Sequence, residues 1–168
     1  MSEAIVADAG PLMALAKLNL LHLLKQLYGR VQFPRSVYEE VVVEGIQRGF
    51  EDAHTLQLFL SREDWKPTEV KDMPSDLVSL RLDRGERESI ALALALDGLL
   101  LVDEERGRKE ARRRGVTVRG TLGVLIQAFR SGLITADQLR FYFDQIEERT
   151  DIWISSALCR RLLQEVLE

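Results

Sequence analysis

Residues 4–11 read Ala4-Ile5-Val6-Ala7-Asp8-Ala9-Gly10-Pro11, and this stretch predicts how the chain is built. Apolar residues followed by one acid, Gly and Pro indicate a buried parallel strand that stops at Asp8. A helix is expected to start at Gly10-Pro11, because proline is tolerated in the first helical turn. Sites in open α/β sheets form at the carboxyl ends of strands. Asp8 is therefore a candidate site residue, with capping of the following helix as its alternative role.

Size and composition are those of one ordinary globular domain. The chain has 168 residues, 46% of them hydrophobic and 30% charged, which suffices for one core and is short for two. We therefore expect a single domain over residues 1–168. The formal charge of −4 gives no global attraction for nucleic acid, so any such binding must use a local basic patch.

One cysteine and short apolar runs narrow the class of protein further. Cys159 is the single cysteine, which excludes an internal disulfide and a multi-cysteine zinc site and fits a reducing compartment. No charged leader opens the sequence, and no apolar run reaches membrane-spanning length. We therefore expect a cytoplasmic protein that does not contact a membrane.

A second stretch, Leu99-Leu100-Leu101-Val102-Asp103, repeats the opening pattern. Both strands are apolar on both faces, which predicts that they are adjacent central parallel strands. The helix before the second strand is apolar nearly all round and belongs against the sheet. Glu86 and Glu88 in its first turn lie about 200° apart, so both cannot face one site. Glu86 is favoured as the inward acid because it shares a face with Ile90.

Another acid lies in the helix predicted after the short strand 31–33. Ser36 and Glu39 have capping-box spacing, which gives Glu39 a structural role at the helix start. On a 3.6-residue period Glu39 faces water, whereas Glu40 flanks the apolar stripe at the rim of the buried face. Glu40 is therefore a second site candidate, with a solvated edge charge as the alternative.

Basic residues cluster directly after the second strand-end acid. Seven of the 23 Lys and Arg residues fall within residues 106–119. A solvated helix face is the usual reason for such a run, but its position beside an acid also favours phosphate contacts. The candidate nucleic-acid ligands are Arg106, Arg108, Lys109 and Arg112.

Strand ends and helix starts thus contribute several acids and no Cys or His pair. The candidate metal ligands are Asp8, Glu40, Glu86, Asp103 and Glu104. Such hard oxygen ligands suit Mg²⁺ or Mn²⁺, and without a cation the clustered charges would raise one another's pKa. A bound ion of this kind activates water for in-line hydrolysis of a phosphodiester. We predict Asp8, Glu40, Glu86 and Asp103 as the catalytic acids, with Glu104 as the alternative to Asp103.

Five motifs occur in order along the chain. They are Asp8-Ala9-Gly10-Pro11-Leu12, Phe33-Pro34-(x)2-Val37-(x)2-Glu40-Val41, Gly85-Glu86-(x)3-Ile90-Ala91-Leu92-Ala93, Leu101-Val102-Asp103-Glu104-(x)2-Gly107-Arg108 and Gly120-Thr121-Leu122-Gly123. Together they resemble a PIN domain, most closely the prokaryotic PIN-like proteins related to VapC toxins. The resemblance covers a core at about residues 4–130 and leaves C-terminal helices at about 135–167.

The resemblance implies a three-layer α/β/α fold with a central parallel sheet of four to five strands. It also implies an acidic Mg²⁺/Mn²⁺ site that cleaves single-stranded RNA. Asp8 and Glu40 correspond to the first two acids, and Glu86 stands where many members have Asp. The fourth motif departs from the family, since Asp103-Glu104 replaces a Ser/Thr followed by Asp or Asn.

The leading interpretation is a metal-dependent ribonuclease, with the toxin of a toxin–antitoxin pair as its narrower form and an antitoxin protein as its partner. The alternative is a catalytically weak nucleic-acid-binding or regulatory PIN-like module. A receiver-type phosphoryl-transfer domain is disfavoured, because Asp8-Ala9-Gly10 lacks a second acid two residues on. The large apolar content of the C-terminal helices further predicts a homodimer.

Overall fold

Three parallel strands form the sheet in the computed structural model, which describes residues 3–78 and 80–168. Along the sheet they are β1 (Ile5–Ala7), β2 (Leu99–Leu101) and β3 (Val118–Arg119). Ile5 lies opposite Leu99, and Leu100 lies opposite Val118. The predicted pairing of the two apolar strands as parallel neighbours is confirmed.

The predicted number of four to five strands is wrong for the described residues, where three are found. Two further extended segments continue the sheet beyond β1 as isolated parallel bridges, Val6 with Gln32 and Pro34 with Thr68. Ala7 N–H donates to the Gln32 carbonyl at 2.8 Å, so the outer edge of β1 is bonded. Prolines explain why these segments do not form ladders, because Pro34 and Pro67 have no N–H to donate.

The helices follow the strands in the order expected of an α/β chain. They are α1 (Ala9–Lys17), α2 (His22–Tyr28), α3 (Arg35–Tyr38), α4 (Gly45–Gln47), α5 (Glu51–Glu63), α6 (Ser75–Val78), α7 (Arg84–Leu96), α8 (Glu105–Arg113), α9 (Thr121–Arg130), α10 (Ala136–Glu148) and α11 (Ser156–Leu167). A π-helical segment, Glu39–Glu44, joins α3 to α4. The helix at 35 is preceded by Pro34 as its N-cap, so the capping box expected from Ser36 is wrong.

The core is divided by the sheet into two layers of packing. Alternate residues of β1 and β2 belong to opposite clusters, Ile5 and Ala7 on one face and Val6 on the other, as the period of two requires. On the first face the sheet packs against α1, α5, α9 and α10, and on the second against α6, α7 and α8. This is the predicted three-layer α/β/α arrangement.

The C-terminal helices lie over the first of these faces. Leu139 and Phe143 of α10 and Cys159 of α11 are buried in the domain's own core, whereas Leu133, Phe141 and Trp153 remain exposed. Among residues 3–78 and 80–168, no helix combines the length and apolar content that crossing a membrane requires.

Candidate metal centre

A cleft of about 440 Å³ opens at the carboxyl ends of β1 and β2, where sites form in parallel α/β sheets. The carboxylates that line it are Asp8, Glu40, Asp83, Glu86, Asp103, Glu104 and Asp151. Lys17 adds an amine to the same wall. The structure thus brings all the predicted metal ligands to one cleft and adds two acids to them.

Asp8 lies at the floor of this cleft and is only 6% exposed. Its backbone N–H donates to the Leu101 carbonyl at 2.9 Å, which fixes it to the end of β2. The Ser89 hydroxyl donates to Asp8 Oδ1 at 3.2 Å. Burial raises the pKa of Asp8 to about 7, and the charges of Asp83 and Glu40 add to this against the hydrogen bonds from Ala9 and Ser89. A cation would restore the charged form of this carboxyl.

Glu86 enters the cleft from the first turn of α7 and is 5% exposed. Asp83 is the N-cap of that helix, and its carboxylate accepts a hydrogen bond of 2.8 Å from the Glu86 N–H. Burial and the neighbouring Asp83 carboxyl raise the pKa of Glu86 well above its ordinary value. Glu86 Oε1 lies 3.5 Å from Arg106 Nη2. Its Oε2 is buried and receives no hydrogen bond from the residues that the structure describes.

Glu88 lies on the other side of α7, outside the cleft. Its carboxylate accepts a 2.9 Å hydrogen bond from Arg84 Nε. Glu39 is likewise turned away and lies 3.9 Å from Arg84 Nη1. Both Glu39 and Glu88 therefore lie outside the cleft, beside Arg84.

Glu40 reaches the cleft from the π-helical segment. A Cβ at Gly85 would lie 3.6 Å from Glu40 Oε1, which places this carboxylate against the start of α7. Burial raises the pKa of Glu40, and the charge of Asp83 raises it further. The Asp83 carboxylate thus contributes to the raised pKa of Asp8, Glu40 and Glu86.

Asp103 and Glu104 follow β2 in different environments. The Asp103 carboxylate accepts hydrogen bonds from Thr121 N–H at 2.7 Å and from Thr121 Oγ1 at 2.6 Å. Burial raises the pKa of Asp103, although these two bonds oppose the rise. A Cβ at Gly120 would lie 2.8 Å from Asp103 Oδ1, so glycine leaves the room that this carboxylate occupies. Glu104 is exposed at the rim, 3.9 Å from Arg106 Nε.

The predicted basic ligands are distributed over different surfaces. Arg106 contacts Glu86 and donates to the Arg81 carbonyl at 3.0 Å. Arg108 donates to the Val102 carbonyl at 2.9 Å, and together with Arg112 it lines a second cleft beside the first. Lys109 is exposed and lines neither cleft.

Sequence reasoning missed four residues that support the acids. Asp83 could have been found from its spacing of three residues to Glu86, which is that of a helix cap. Thr121 belongs to the motif Gly120-Thr121-Leu122-Gly123, but the sequence did not indicate a role for its side chain. Ser89 and Lys17 gave no local signal, because their partners lie far along the chain.

The donor chemistry of the cleft fits a hydrated Mg²⁺ or Mn²⁺ ion. Among the described residues, no three His, Cys, Asp or Glu side chains come together closely enough to form a complete ligand set. Mg²⁺ needs no such cage, since it commonly binds one or two carboxylates and keeps several waters. The buried Glu86 Oε2 without a donor is the atom that most needs a cation. The oxygen donors of the cleft are therefore of the kind that the ion prefers, and Asp8 and Glu86 are the buried carboxylates among them.

The sequence matches one family model over residues 4–168, and that model describes DUF3368, a PIN domain. The chain belongs to the PIN-domain family. None of the curated proteins and none of the solved structures compared with it gives a match. Family membership therefore rests on a match over nearly the whole chain. The position of Asp8 and Asp103 directly after strands agrees with it.

Proposed function

We propose that this PIN domain is a metal-dependent endoribonuclease that hydrolyses phosphodiester bonds of single-stranded RNA. The observation that carries the proposal is the pair of buried carboxylates in one cleft, Asp8 after β1 and Glu86 at the start of α7, with raised pKa values and one carboxylate oxygen without a donor. Structural acids on a protein surface are normally paired or solvated, so this arrangement favours a cation-binding role.

The ion would be held by Asp8 and Glu86, with Glu40 and Asp103 within the same cleft and Glu104 at its rim. When bound, Mg²⁺ or Mn²⁺ would lower the pKa of the attacking water and stabilise charge on the phosphate oxygens. The chain's own residues prepare this site. Ser89 fixes one oxygen of Asp8, and Thr121 fixes both oxygens of Asp103.

The test compares cleavage of a labelled single-stranded RNA by chelated protein before and after Mg²⁺ or Mn²⁺ is added. We expect no cleavage in chelator and recovery with either ion. Asp8→Asn and Glu86→Gln should each reduce the rate by at least about 100-fold. Glu88→Gln is the matched control on the same helix, and it should stay within about twofold because it removes only a surface ion pair.

A catalytically weak nucleic-acid-binding module is the second candidate function. It is favoured by the absence, in the described part of the chain, of a group of three potential metal ligands. RNA binding without ion-dependent cleavage would support this module and refute the ribonuclease. Cleavage that survives chelation, or that is equal in Asp8→Asn, would refute the metal site itself.

The toxin of a toxin–antitoxin pair is the narrower form of the proposal. It requires an antitoxin protein that binds the enzyme and blocks its cleft. Induced expression in a bacterial host should arrest growth, and Asp8→Asn should abolish that arrest. A location in the cytoplasm, where RNA is present, stays a prediction of the same proposal.

A further inference from the structure

A second cleft of about 740 Å³ adjoins the acidic one and lies between α8, α9 and α11. The two clefts share Asp103, Trp153 and Ile154 as lining residues. We call the second cleft the arginine groove. Its continuity with the acidic cleft means that an extended ligand can occupy both.

The arginine groove has the opposite charge from its neighbour. Its arginines are Arg108, Arg112, Arg119, Arg130 and Arg161, and they face only the two carboxylates of Asp103 and Glu105. Within residues 3–78 and 80–168, none of these five arginines takes part in an ion pair. The chain as a whole carries a formal charge of −4. Arg108 donates to the Val102 carbonyl, and Arg119 donates to the Tyr28 hydroxyl and the Gln127 side-chain oxygen. Guanidinium groups concentrated without ion-pair partners are complementary to phosphate, and Arg112, Arg130 and Arg161 are the ones best placed to contact it.

Neighbouring arginines that do not line the groove are paired with acids. Arg113 and Arg114 both pair with Glu110, at 2.9 and 2.8 Å. On α11, Arg160 lies 3.4 Å from Glu147, whereas its neighbour Arg161 lines the groove. Beside the groove, acids thus neutralise Arg113, Arg114 and Arg160, whereas no such ion pair neutralises the arginines that line it.

Trp153 lies where the groove meets the acidic cleft, and it is 92% exposed. Its segment is anchored directly before the ring. Ile152 is buried, and the Lys17 amine donates to the Asp151 carbonyl at 2.6 Å. Trp153 Nε1 donates to the Thr150 carbonyl at 3.0 Å, so the polar atom is satisfied within the segment. The ring therefore presents an apolar face to solvent from a fixed backbone.

We propose that a single RNA strand lies with its phosphates along the arginine groove, stacks an unpaired base on Trp153 and continues into the acidic cleft. This inference rests on the proposed ribonuclease function and adds its substrate track. Stacking on one aromatic face requires a base that is free of its partner, so the site selects single strands over duplexes. The groove volume lies within the range of sites that hold small ligands, which suits one or two nucleotides.

The experiment uses the full chain in chelator, so that binding is measured without cleavage. Trp153 and the buried Trp65 are the two tryptophans of the sequence. A Trp65→Phe variant therefore leaves Trp153 as the only tryptophan, which can be excited at wavelengths where the three tyrosines do not absorb. Titration with an oligouridine strand should quench this emission in a saturable way. The same strand in an RNA duplex should quench it weakly.

Variants then measure the contribution of the ring and of the groove charge. Trp153→Ala should raise the Kd for the single strand by about 10-fold, within the range of one stacked base, and Trp153→Phe should recover most of the affinity. Phe141→Ala removes an exposed aromatic outside both clefts and should leave the Kd unchanged. Arg161→Ala should lower the salt slope of binding by about 0.7, and Arg160→Ala should not.

The outcomes separate this inference from the ribonuclease proposal. If the wild type shows ion-dependent cleavage but Trp153→Ala leaves the Kd unchanged, the proposed RNA-binding path is wrong. The ribonuclease proposal would then still hold. Equal quenching by duplex would also overturn the proposed path. A wild-type dimer that Trp153→Ala converts to a monomer would show that a second copy covers the ring. If the protein neither binds nor cleaves RNA, both proposals are refuted.

Discussion

Asp8→Asn should stabilise the metal-free protein, and more strongly at high pH than at low pH. Asp8 is buried, and its pKa is raised from 3.8 to about 7 in the folded chain. The folded state therefore binds more protons than the unfolded state between these values, so the free energy of unfolding falls as pH rises through this window. Asparagine carries no charge to bury, and its side-chain oxygen can still accept the bond from Ser89.

The magnitude follows from the two pKa values. At pH 5 the cost of Asp8 in the folded state is roughly 1.5 kcal/mol, and at pH 8 it is roughly 4 kcal/mol. The stabilisation by Asp8→Asn should therefore be about 2.5 kcal/mol larger at pH 8 than at pH 5. For a chain of this length that difference corresponds to several degrees in Tm.

Urea denaturation in chelator, at both pH values, measures the effect. Asp144→Asn removes an exposed acid from α10 and serves as the control. Mn²⁺ added at pH 8 should then stabilise the wild type and not Asp8→Asn, because ligand binding to the folded state adds to its stability. A gain of equal size at pH 5 and pH 8, or no gain at all, would refute the argument that burial raises this pKa.

Three further predictions test the rest of the fold. Thr121→Val removes the hydroxyl donor to the acid after β2 and should cost about 1–3 kcal/mol in urea denaturation, whereas Thr121→Ser should cost less. Gly98→Ala places a Cβ 2.6 Å from the Ala4 carbonyl oxygen and should cost about 1–3 kcal/mol. Gly10→Ala, whose Cβ would lie at an ordinary 3.5 Å from an Asp103 carboxylate oxygen, should cost less, and equal losses would contradict the backbone clash. For the predicted homodimer, light scattering at tens of micromolar should give twice the chain mass, and Phe141→Glu should halve it; a wild-type monomer would contradict the dimer.

The sheet and its strand-end acids could be predicted because their signals are local. An apolar run that ends in one acid marks both β1 with Asp8 and β2 with Asp103. The 3.6-residue period also separates Glu86 from Glu88 around α7. The predicted number of strands was wrong because an apolar segment such as 31–33 looks like a strand in the sequence. In the structure it forms one isolated bridge with β1 and no continuous ladder of hydrogen bonds.

The remaining parts of the cleft depend on contacts between distant segments. Lys17 and Asp151, for example, are 134 positions apart, and nothing near either residue predicts that they meet. The same holds for Trp153, which lies in the loop between α10 and α11. The basic run was found from its composition, but which arginines are paired could be seen only in the fold.

The π-helical segment 39–44 joins α3 and α4 into one continuous helical stretch over 35–47, and it determines how many residues that stretch can hold. A π turn holds one residue more than an α turn, so the segment acts as a single-residue insertion within 35–47. The helix packs closely against α5 at Gly45, because a Cβ there would lie 2.7 Å from Ala53 Cβ. Deletion of the exposed Val43 would therefore relax the segment to a regular α-helix and leave Glu40 facing the cleft. A relative with this helix one residue shorter would keep its second acid on the same side of the helix.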